Sequence, residues 1–146
     1  MKKVVLFAVS LLLIILVSAV SFVFGRRYQQ GYILEHEKDI AQEQKPPHDG
    51  IGMSTAYSFF AKAPGLKLAF RKRVLKPGSA IGYHLQKEDE IYYILSGTGL
   101  MKMNGDSFGV KTGDAILTRP GSSHGLRQTG TDSLAIIINY PEAPNP

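Results

Sequence analysis

The chain has 146 residues, with 17 lysines and arginines against 12 aspartates and glutamates, 4 histidines and a formal charge of +5. It contains no cysteine, which excludes disulfides, thiolate zinc and iron–sulfur sites, a thiol nucleophile and a lipidated cysteine, so any metal must rest on nitrogen and oxygen donors. Much of the positive charge sits at Lys2, Lys3, Arg26 and Arg27, around one apolar segment; the rest is mildly basic, and no nucleic-acid partner is expected.

That segment, Val4 to Gly25, is uncharged and centres on Leu11-Leu12-Leu13-Ile14-Ile15-Leu16-Val17. At 1.5 Å per residue, about 20 such residues cross a bilayer core about 30 Å thick. The expectation is an N-terminal apolar helix over residues 1–25 that anchors the chain in a membrane. The alternative is a secretory signal cleaved near Ala19-Val20-Ser21, although apolar Phe22-Val23-Phe24 follows directly. Basic residues flank both ends, so the positive-inside rule is nearly balanced. The short basic N-terminus favours an extracytoplasmic domain, periplasmic or extracellular, whether anchored or secreted.

Residues 26–50 are polar and close on Lys45-Pro46-Pro47-His48-Asp49-Gly50, a run that breaks regular structure. They read as a linker, with His48 and Asp49 solvated. Residues 51–146 change character to short strand-like runs separated by turn residues, the pattern of an all-β sandwich or barrel. Leu66 to Leu75 alternates, with Leu66, Leu68, Phe70 and Val74 placing the Lys72 face inward and Arg71 and Arg73 outward. Lys72 is then either a pocket cation for an anionic substrate or, more simply, a side chain reaching water at a bulge or barrel mouth.

Further strands are expected over Ile81 to Gln86, Glu90 to Ser96, Leu100 to Met103, Ser107 to Val110, Ala115 to Thr118, His124 to Gln128 and Ser133 to Tyr140. Asn104-Gly105 is a type I′ hairpin signal. Ile136-Ile137-Ile138 puts apolar groups on both faces of one strand, which suggests a covering sheet or a second subunit, hence a homodimer.

The chemistry concentrates in two stretches. Alternation puts His84 and Gln86 on one face, and Glu90, Tyr92 and Ile94 on another that must be inward if Ile94 is buried. An inward carboxylate beside a tyrosine is costly without a partner. A cation held by Glu90, His84 and His124, the last opening a strand after Pro120-Gly121-Ser122-Ser123, would supply one. Two imidazoles and a carboxylate suit Fe, Mn, Ni or Zn as a divalent transition metal. Tyr92, one strand step from Glu90, is a catalytic candidate together with Glu90 if a nearby cation lowers its phenol; the plainer reading is an amphipathic core tyrosine.

Gly78, His84, Glu90 and Gly97 match the spacing of the first cupin motif, with Gln86 where a second histidine is usual. Gly113, Gly121 and His124 match the second, with Arg119 in place of proline and Gln128 in place of asparagine. From about Leu66 to Tyr140 the chain therefore resembles a small single-domain cupin of the conserved-barrel type. The resemblance implies a double-stranded β-helix, a jelly-roll-like barrel, with His84, Glu90 and His124 as metal ligands and Gln86 as a weaker fourth. It also implies a small-molecule ligand or substrate. The expected function is a membrane-targeted metal-binding cupin acting on a small polar metabolite by dioxygenase- or isomerase-like chemistry; the alternative is a non-catalytic metal- or ligand-binding module.

Overall fold

The computed structural model describes residues 31–142, and the expectations placed on the apolar segment and on residues 26–30 lie outside them. Among the described residues no helix is long and apolar enough to cross a membrane. From Glu35 onward the architecture is nearly all β. One helical turn, α1 (Glu37–Ile40), leads into β1 (Ala41–Gln44), β2 (Ser54–Phe59), β3 (Leu68–Leu75), β4 (Ala80–Leu85) and β5 (Glu90–Ser96). The series continues with β6 (Thr98–Met103), β7 (Asp106–Lys111), β8 (Ala115–Thr118), β9 (Ser123–Thr129) and β10 (Leu134–Pro141).

These strands form a six-stranded sheet in the order β1-β2-β3-β10-β5-β8 and a four-stranded sheet in the order β4-β9-β6-β7. All pairings are antiparallel, and the return of β10 to lie between β3 and β5 is a jelly-roll connection. Inward residues of both sheets make one core that includes Leu75, Ile94, Met101, Leu126, Leu134 and Ile136, each fully buried. Fully burying one such side chain is worth about 1.5–3 kcal/mol, so the two faces together hold the sandwich closed. Asn104 and Gly105 take φ of 50° and 96° in the expected hairpin, which pairs Met103 with Asp106. That turn needs positive φ at both central positions, and asparagine and glycine are the residues that tolerate it.

Two expectations change. The stretch read as a linker contributes α1 and β1: Glu35 accepts the Phe60 amide at 2.6 Å, Glu37 accepts from Lys72 Nζ at 2.8 Å, and β1 pairs along β2. Its polar sequence Ala-Gln-Glu-Gln carries no β propensity, because an edge strand is held by its ladder and by Ser54 Oγ donating to Gln44 O. The phase of β3 is also opposite to the expectation. Ala69, Arg73 and Leu75 are buried, whereas Lys72 faces outward over the Tyr57 ring, 5.0 Å from its centroid. Phe70 on that outward face packs on Phe59 at 5.6 Å. Both faces of β3 thus meet apolar neighbours, and a one-residue change of phase moves every side chain to the other side.

Candidate metal centre

Three donors converge where the ends of β4, β5 and β9 meet. His84 pairs with His124 across β4 and β9, and Glu90 opens β5 opposite Thr118 of β8. One ligand atom from each of His84, Glu90 and His124 lies within 4.8 Å of the others. His124 is wholly buried and Glu90 only 6% exposed, with His124 Nε2 at 3.0 Å from Glu90 Oε2.

Both imidazoles are oriented from behind. His84 Nδ1 lies 2.8 Å from Gly82 O and therefore carries the proton, leaving Nε2 with its lone pair. His124 Nδ1 lies 2.7 Å from Thr118 Oγ1, a hydroxyl able to accept or donate. Such rear hydrogen bonds fix tautomer and ring orientation in metal sites. Burial, followed by the neighbouring His124, holds the His84 imidazole below its ordinary range and so in the neutral form a metal requires; the Gly82 contact opposes this only in part.

The Gln86 amide reaches the same point. Its nitrogen hydrogen-bonds Glu90 Oε2 and lies 3.4 Å from His124 Nε2. Turning the amide about its last bond presents oxygen there instead. The donor set of two imidazoles, a carboxylate and an amide, without thiolate, fits a divalent first-row metal. His84, Gln86, Glu90 and Tyr140 line an open cleft of about 360 Å³, together with Lys87 and His48. Another cleft of about 280 Å³ lies against Ile51, Tyr83 and Leu100, and its lining includes none of these donors.

Tyr92 is near the cluster but not open to it. It is 3% exposed and its ring lies 5.0 Å from that of His124. Without a metal, burial first, then the Glu90 carboxylate, push its phenol well above the usual range. Asp89 pairs with Arg119 at 3.3 Å, and Glu88 stays exposed at the cleft. Sequence reasoning missed two residues. Arg73, placed outside by the wrong strand phase, is 7% exposed inside the barrel and donates to Ser54 Oγ at 2.7 Å. His48, read as a solvated linker residue, is exposed as expected but also stacks on His84. The Pro-Pro-His run held no signal for the stack, since its partner is distant in sequence.

A two-sheet antiparallel barrel with histidines and a glutamate gathered at the strand ends defines the class of small double-stranded β-helix proteins. Residues 72–139 match the cupin domain model, which together with the barrel fold supports the cupin superfamily for this part of the chain. It is 42% identical over 73 residues to an oxalate-binding protein of Thermotoga maritima, covering 47% of this chain and 60% of that protein. An uncharacterized protein of Methanocaldococcus jannaschii is 35% identical over 79 residues, 53% of this chain and 63% of that one. The chain thus spans about 60% of the length of these curated relatives. Among solved structures, a predicted oxalate decarboxylase of T. maritima superposes with TM-score 0.67 and 27% identity, over 76% of this chain and all of that one.

Proposed function

We propose that this cupin binds a divalent transition metal through His84, Glu90 and His124, assisted by Gln86, and uses it to hold a small carboxylate of the oxalate class. The observation that carries the reading is the convergence of three donors beneath an open cleft, with both imidazoles tied back through Nδ1. When bound, the metal supplies Lewis acidity toward ligand oxygens. Glu90 neutralises part of its charge, and Gln86 lends an amide oxygen or a hydrogen bond to the ligand.

Charge supports an anionic ligand. Buried Arg73 and Glu90 cancel, so a divalent ion leaves the interior positive, and Lys87 adds a cation at the mouth. The names of the two T. maritima proteins, oxalate-binding and predicted oxalate decarboxylase, point to the same ligand class. Binding is favoured over proton-transfer chemistry at Tyr92 because that phenol is buried and does not line the cleft. The apolar segment Val4 to Gly25 would place this binding domain at a membrane, on the extracytoplasmic side.

Calorimetric titration of oxalate into the untagged full chain, with and without Mn(II), tests the reading. Heat that depends on metal is expected. Equal binding in chelator, or no binding in either state, contradicts it.

A further inference from the structure

We propose that His48 belongs to the metal centre as its positioning residue: its ring holds His84 in place and its nitrogens offer the cleft a hydrogen bond for the bound carboxylate. The second half rests on the ligand reading above; the first half does not. The His48 and His84 rings are parallel within 8° with centroids 3.4 Å apart, a face-to-face contact over one side of the imidazole. The other neighbour of His84 is the edge-on ring of His124 at 4.7 Å. His84 thus contacts two rings and is tethered at Nδ1, which leaves Nε2 as its functional atom.

The backbone is built to make this contact. His48 and Asp49 adopt left-handed φ of 58° and 56°, a conformation few side chains favour. The turn closes through Gly50 N donating to Pro47 O at 3.2 Å, and Gly82 N donates to the same carbonyl at 3.1 Å. A Cβ on Gly82 would lie 1.5 Å from the His48 carbonyl oxygen, so this close approach requires glycine at position 82. Gly82 therefore seats the His48 turn with its amide and orients His84 with its carbonyl. Strain of this kind persists where surrounding contacts determine it.

His48 lies outside the three-donor group. Among the described residues neither of its ring nitrogens makes a hydrogen bond, and the ring lines the same cleft as Glu90 and Gln86. A neutral imidazole offers one N–H donor and one acceptor. A carboxylate held at the metal would find that N–H at the mouth.

Three readouts on the untagged full chain test the proposal. The first is NMR of the His84 ring protons in metal-free protein, where removing the stacked ring in His48→Ala shifts them. The second is Mn(II) affinity by competition with a chromophoric chelator, expected to weaken about 10-fold in His48→Ala, as for other outer-shell partners, and in Gly82→Ala. His48→Phe restores the stack and recovers that affinity. The third is oxalate affinity of the Mn-loaded protein, which stays lowered in His48→Phe because phenylalanine has no N–H. Unchanged His84 resonances and metal affinity in His48→Ala overturn the positioning role. Wild-type oxalate affinity in His48→Phe overturns the ligand contact. Failure of every form to bind Mn(II), with the His84 shift intact, sinks the metal reading and the ligand contact with it, while the ring stack stands.

Discussion

Gln86, just past the end of β4, is the residue at which this site departs most from two alternating histidines. It shares the cleft face with His84, and its amide already touches Glu90. An imidazole there is a better donor, so Gln86→His is expected to tighten Mn(II) binding by about 10-fold, read by chelator competition; weaker binding would mean the position serves the ligand alone. Arg73 makes a different case. Its guanidinium has Ser54 as its hydrogen-bond partner among the described residues. Ser54→Ala leaves the charge without it and is expected to cost about 1–3 kcal/mol in denaturant unfolding. Arg73→Met removes the charge that balances buried Glu90 and is expected to destabilise the metal-free protein in the same measurement. His84, Glu90 and His124 were legible because each lies in a run whose alternation and spacing fix its face. Arg73 was not, because β3 has apolar neighbours on both sides.

At the level of elements, β4 to β10 follow from the alternating runs and turn residues between Gly78 and Tyr140, within a residue or two at most ends. β1 and α1 do not, since their positions rest on tertiary bonds from Glu35, Glu37 and Ser54 rather than on local preference. Gln128 shows how a motif position can serve the frame. Its oxygen accepts the Gly78 amide at 2.8 Å, and its nitrogen donates to the carbonyls of Thr129, Gly130 and Asp132 at 2.9, 3.2 and 2.6 Å. It thereby ties the start of the first motif to the end of the second. Gln128→Ala strands these groups in a buried place and is expected to lose about 1–3 kcal/mol of stability by chemical denaturation. The cavity variant Leu126→Ala, in the fully buried core, is expected to lose about 2–5 kcal/mol.

For the whole molecule, pH dependence follows from the same burial that shapes the site. Burial lowers His48 and His84 below their ordinary 6.5, so the unfolded chain takes up protons that the folded one resists. Stability of the metal-free protein is present above that value and falls as pH drops through it. Tyr92 is raised well above 10.0, so stability also declines once the unfolded phenol ionises above that pH. Melting temperatures across the range should trace both limbs, with the acid limb flattened in His48→Phe. On the outer side of the larger sheet, Ile91, Tyr93, Leu95 and Leu117 remain exposed in the single chain.

The most direct test of the account is the metal content of the untagged full chain, purified without metal-affinity steps and measured by elemental analysis beside His84→Ala and His124→Ala. A stoichiometric first-row divalent metal in the wild type, lost from both variants, is the predicted result. A wild type free of such metal that also fails to take up added Mn(II), or variants that retain the wild-type content, would contradict it.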